Sequence, residues 1–186
     1  GRGKAGECSW HDLSRLDAGG WHSRAYAGEP LPSLQAIAAF VQRNGCALDI
    51  EIKPSPGSDA HTGAVVAAEV ARLWHGHERV PLLSSFQPDA LRAARAVAPE
   101  LPRALLLDQL PLDVIEHAGQ LGCVAVITDH KLMDAALIAR LHAAGQRALV
   151  YTVNEPEQIV VSGAIAAMDQ IVALAPPRKA LKLNVS

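Results

Sequence analysis

The chain has 186 residues, 49% of them apolar, with 17 basic and 19 acidic side chains and a formal net charge of −2. That balance offers no general attraction to polyanions, and no basic stripe is interleaved with aromatics, so a nucleic-acid role is set aside. No apolar run approaches the roughly 20 residues needed to span a bilayer. The cysteines Cys8, Cys46 and Cys123 match neither a disulfide framework nor a zinc spacing; they read as reduced thiols, and a cytoplasmic protein is expected.

The first residues, Gly1 to Lys4, read as the middle of a loop, so the chain is expected to be a piece of a longer one. Trp10 and Trp21 flank Leu16–Gly19 and are expected to form a small hydrophobic patch under a loop. From Ser33 onward, helical periodicity alternates with short apolar runs, the pattern of a parallel sheet wrapped by helices in one domain over 1–186. Ser33 is placed to cap a helix over Leu34–Asn44, with Gly45 as its stop, and a strand follows over Leu48–Ile52. Helix Gly63–His75 precedes strand Val80–Ser85. Pro88 and Asp89 open a helix ending near Ala98, and Arg103–Leu107 is the next strand. Helix Leu112–Leu121, strand Cys123–Thr128, helix Lys131–Ala144 and strand Gln146–Val153 continue the alternation. A helix over Pro156–Ala166 and a short strand over Gln170–Leu174 complete it, and the tail from Pro176 is expected to be loosely held.

This gives about six βα units, where a closed (β/α)8 TIM barrel needs eight strands. An incomplete barrel is the expected fold. Its first and last strands would then expose unpaired backbone groups, which predicts self-association through open edges.

The run Leu48-Asp49-Ile50-Glu51-Ile52-Lys53-Pro54 carries the chemistry. Side chains alternate across a strand, so the isoleucines turn toward the outer helices while Glu51 and Lys53 point inward at the strand's C-terminal end. A carboxylate there is a hard ligand for Mg²⁺ or Ca²⁺, and an ammonium two residues on can pair with a phosphate. The competing explanation of the same spacing is a buried Glu51–Lys53 ion pair that fixes register. His75 and His77, flanking Gly76, read as a solvated helix end, and the other histidines form no metal or triad spacing.

Several motifs in order resemble the glycerophosphodiester phosphodiesterases: Gly1-Arg2-Gly3, Leu16-Asp17-Ala18-Gly19 with Trp21, Gly28 to Leu34, the Glu51 and Lys53 strand, Ser84-Ser85-Phe86 with Pro88, and Tyr151-Thr152-Val153-Asn154. The resemblance runs to about Val172. It implies a (β/α)8 barrel that hydrolyses glycerophosphodiesters to an alcohol and glycerol 3-phosphate with a divalent cation. It further implies Glu51 as a metal ligand, Lys53 as a catalytic residue, and Phe86 and Tyr151 as substrate-binding residues. The family's two N-terminal histidines and its Glu-x-Asp pair would lie upstream of Gly1, so turnover by this chain alone is expected to be weak at most. Tyr151 stands where the family usually has Trp, Ala36 where a glutamate would complete a capping box with Ser33, and Ala173-Leu174 where it has Thr-Asp. Phospholipase D-like toxins and phosphatidylinositol-specific phospholipases share the architecture, but the Gly28–Leu34 and Asn154 motifs favour the glycerophosphodiester branch. The competing non-enzymatic reading is a binding or assembly module that has lost catalysis.

Overall fold

The alternation of β-branched runs with helical periodicity yields parallel strands because each strand must return through a helix. A computed structural model describes residues 5–153 and 181–185. The chain divides into two compact units, Gly1–Gly45 and Cys46–Val185.

In the first unit a short helix α1 (Trp10–Leu13) is followed by a loop and by helix α2 (Leu34–Asn44). Helix α2 has the expected bounds: Ser33 Oγ accepts from the Ala36 N–H at 3.1 Å, and Gly45 closes the helix in the left-handed region at φ 60°. The half of the capping box that Ala36 cannot supply is absent, yet the serine half forms. Trp10 and Trp21 do not form a covered patch. They are 52% and 83% exposed, and the Trp21 indole N–H is tied to the Ala18 carbonyl at 2.7 Å.

The second unit contains β1 (Leu48–Ile52), α3 (Asp59–Leu73), β2 (Leu82–Ser85), α4 (Pro88–Val97), β3 (Arg103–Leu107), α5 (Val114–Gln120), β4 (Ala125–Asp129), α6 (Ala135–Ala143), β5 (Arg147–Tyr151) and β6 (Leu181–Val185). All the strands pair in parallel, in the order β5-β4-β3-β2-β1-β6. The sheet is open among the described residues, with β5 and β6 on its edges. The tail is therefore not loose where Leu181–Val185 lies alongside Leu48–Ile52, and β1 is not an open edge. The expected helix Pro156–Ala166 and strand Gln170–Leu174 fall outside the described residues.

Three helix starts differ from expectation, α5 by two residues (Val114 for Leu112) and α3 and α6 by four. Helix α3 begins at Asp59, before Gly63, because Gly63 serves as an interior contact: a Cβ there would stand 2.2 Å from the Ala90 carbonyl oxygen of α4. Helix α6 begins at Ala135, after Lys131, because the Asp129 carboxylate holds the Lys131 N–H in a turn and Asp134 caps the helix through the Leu137 N–H.

One face of the sheet packs on helices through Leu91, Leu105, Val114, Val126, Leu137 and Leu141. Burying such side chains stabilises by about 1.5–3 kcal/mol each relative to exposure. Arg103 opens β3 and is 5% exposed. Its guanidinium donates to the carbonyls of Leu101 (2.5 Å), Pro99 (3.3 Å) and Gly122 (3.2 Å), serving chain ends that follow α4 and α5. Burial lowers its pKa, and burial pushes the adjacent Cys123 thiol up to about 11.

Candidate active site

Register decides which side chains share the face opposite the helices. Glu51 pairs with Ser84, Ser84 with Ala104 and Ala104 with Ala125. Ala104 and Ala125 belong with Leu106 and Ile127 to a second apolar cluster, against which Leu82 and Tyr151 pack. Residues in register point the same way, so Glu51 and Ser84 belong to this face. Asp129 pairs with Tyr151 and joins them there. The carboxylate of β1 thus turns away from the helices, as its alternation requires.

Glu51 is 4% exposed one residue before the end of β1. Lys53 lies just beyond the strand and is exposed, whereas Glu51 is buried within it. The β1 and β2 ends are tied together by Ser85, whose hydroxyl donates to the Ile52 carbonyl at 2.7 Å and accepts from the Gln87 N–H at 3.1 Å. Ser84 Oγ is buried and has no hydrogen-bond partner among the described residues.

Phe86, immediately after β2, meets Tyr151 at the end of β5 edge to face, with ring centroids 6.0 Å apart and planes at 77°. Those strands are three positions apart, about 14 Å along a flat sheet. The contact is made because the sheet is concave on this face. The Tyr151 hydroxyl donates to the Leu107 carbonyl at 2.9 Å. Desolvation raises its pKa, and the charges of Asp108, Asp129 and Glu51 raise it further. Negative charge thus converges on the C-terminal strand ends.

Sequence reasoning missed Asp108. It continues the Ala104, Leu106 alternation, which was the available signal. Asp129 works within its own turn: its carboxylate accepts from the Lys131 N–H at 2.9 Å and lies 3.6 Å from His130 Nδ1. His75 and His77 are exposed in the turn after α3.

A buried carboxylate suits a hard divalent cation as one ligand. Among the described residues, however, no group of three His, Cys, Asp or Glu side chains gathers to hold one. The described residues do not by themselves build a complete cation site.

An α/β sheet with polar groups gathered at the C-terminal strand ends is the arrangement of a barrel-type enzyme. The chain belongs to the Glycerophosphoryl diester phosphodiesterase family, whose pattern it matches over residues 1–171, and members of that family are phosphoric diester hydrolases that generally depend on a metal. Among solved structures, it is similar to a phosphodiesterase of Oleispira antarctica in complex with the product sn-glycerol-3-phosphate. That likeness has 24% identity and a TM-score of 0.77, over 99% of this chain and 69% of that one. A glycerophosphodiester phosphodiesterase from Agrobacterium tumefaciens is 22% identical with a TM-score of 0.64, over 99% and 71% of the two chains. One from Parabacteroides distasonis is 14% identical at 0.64, over 95% and 66%. These likenesses establish the fold, and the chain spans about two thirds of each relative's length. No curated protein matches it.

Proposed function

We propose that the chain takes part in the hydrolysis of glycerophosphodiesters to an alcohol and glycerol 3-phosphate. In this reading Glu51 is a ligand of a divalent cation, Mg²⁺ or Ca²⁺, Lys53 neutralises the phosphoryl group, and Phe86 and Tyr151 wall the glycerol moiety. The observation that carries it is the convergence of the buried Glu51 carboxylate and the Phe86–Tyr151 aromatic pair on one face of the sheet at the C-terminal ends of its strands. When bound, the cation would supply charge neutralisation to the phosphodiester. The chain's own part is to orient the diester against the aromatic pair and hold an ammonium near its phosphate.

The family match runs through both compact units, which supports treating 1–186 as one functional domain. Cysteines that form no disulfide among the described residues support a reducing, cytoplasmic setting, and the family match supports a role in glycerophospholipid breakdown. Among the described residues no helix is long and apolar enough to cross a membrane.

The test is release of glycerol 3-phosphate from glycerophosphocholine with Mg²⁺ or Ca²⁺, beside a chelator control and Glu51→Ala. Weak turnover that disappears in both controls is expected, since no described histidine is assigned to proton transfer. Turnover unchanged by Glu51→Ala would remove Glu51 from the mechanism, and chelator-insensitive turnover would remove the cation.

A further inference from the structure

Strand β1 has a neighbour on each side. One is β2, within the stretch that the family pattern matches; the other is β6, which lies beyond residue 171 and outside that stretch. The β2 pairing covers Asp49 to Glu51. The β6 pairing covers all of β1: Leu48 with Leu181, Asp49 with Lys182, Ile50 with Leu183, Glu51 with Asn184 and Ile52 with Val185.

The two segments agree position by position. Each apolar residue of β1 stands in register with an apolar residue of β6, and each polar residue with a polar one. Lys182, the one charged residue of β6, falls opposite Asp49. A slip by one residue sets a leucine against Asp49 and Lys182 against Leu48 or Ile50, so the whole agreement is lost. A slip by two sets Lys179 against Leu48 in one direction, and in the other carries Lys182 back to Ala47, away from both carboxylates. The observed register is the one that satisfies alternation and charge together.

A strand edge binds an extended segment through main-chain hydrogen bonds, and the pattern of residues along it selects which segment is taken. Leu48, Ile50 and Ile52 are buried, so β1 with this edge unpaired would be an apolar strand with open N–H and C=O groups. We propose that the edge of β1 away from β2 is a strand-acceptor site for a parallel extended peptide of the pattern apolar, cation, apolar, polar, apolar, with Asp49 reading the cation. Leu181–Val185 is its ligand within the chain, and a detached peptide of the same sequence takes its place when the chain's own segment is weakened. The proposal concerns pairing at this edge and stands apart from the hydrolytic reading of the strand-end site.

The experiment is amide hydrogen exchange of the full chain, followed residue by residue by NMR. In the unaltered chain the amides of β1 and of Leu181–Val185 are expected to be protected together. Lys182→Asp places like charges opposite each other and is expected to speed exchange in both segments about threefold or more, and Asp49→Lys combined with it is expected to restore the slow rates. An acetylated peptide spanning residues 179–186, added to the Lys182→Asp chain, is expected to bind saturably and to slow exchange in β1; the same peptide carrying Lys182→Asp is expected to do neither. Exchange of Leu181–Val185 at unstructured rates in the unaltered chain, β1 rates that Lys182→Asp leaves unchanged, or a detached peptide that neither binds nor protects β1 would overturn the proposal. The first measurement uses the unaltered chain, so it does not depend on any variant folding.

Discussion

The Tyr151 hydroxyl on β5 donates a 2.9 Å hydrogen bond to the Leu107 carbonyl on β3, two strands away. That bond crosses the concave face and fixes the ring against Phe86. Tyr151→Phe keeps the ring and deletes the bond, so a stability loss of about 0.5–1.5 kcal/mol is expected, measured by denaturant unfolding. No loss would mean that the hydroxyl does not anchor the ring.

Because desolvation and then Asp108, Asp129 and Glu51 raise the Tyr151 pKa, removing one of those charges should lower it. Asp108→Asn is expected to shift the phenolate transition of Tyr151 to lower pH in an ultraviolet titration, with Tyr26→Phe used to isolate the signal. An unmoved transition would separate Asp108 from the strand-end site.

Gly63 and Ala90 set the approach of α3 to α4. Gly63→Ala would improve helix propensity by about 1 kcal/mol, but overpacking costs about 1–3 kcal/mol. Its Cβ would meet backbone, at 2.2 Å from Ala90 O and 2.7 Å from Ala90 Cα, which cannot rotate aside. A lowered melting temperature is therefore expected; a raised one would show that the helices can separate freely.

Burial keeps the Cys123 thiol protonated up to about pH 11 in the folded chain, against an ordinary value of 9.0. The folded state therefore holds this proton more tightly than the unfolded state. Its contribution to stability is complete below about pH 9 and is lost as pH rises through 11, at a slope of at most about 1.4 kcal/mol per pH unit. Cys123→Ala should flatten that part of the profile. A thiol reagent should modify the exposed Cys8 rapidly and Cys123 only on unfolding.

How much of this was legible in the sequence depends on the range of the interaction. Ser33, Gly45 and the alternation of Leu48–Ile52 act within a few residues, and α2 and β1 have the expected bounds. The identity of β1's neighbours is a non-local matter. Nothing in Leu181–Val185 taken alone announces that it pairs with Leu48–Ile52, and Lys182, with Arg178 and Lys179 before it, made it read as tail. Gly63 reads as a boundary because glycine is a poor helix former, although here it is kept for a close approach. Glu51 was visible through alternation, whereas Asp108 was hidden by the Gln-Leu-Pro turn that follows it. Trp21 is tied by one indole–carbonyl bond, which composition cannot show.

The most direct test of the strand-end site is calorimetric titration of the chain with glycerol 3-phosphate in the presence of Mg²⁺ or Ca²⁺. The account predicts saturable binding that weakens about tenfold or more when Lys53→Met removes the ammonium, or when Glu51→Gln or a chelator removes the cation, in line with a charge-assisted contact of about 1.5–3 kcal/mol. Binding of equal strength in the unaltered chain and in both variants would place the phosphate elsewhere and contradict it.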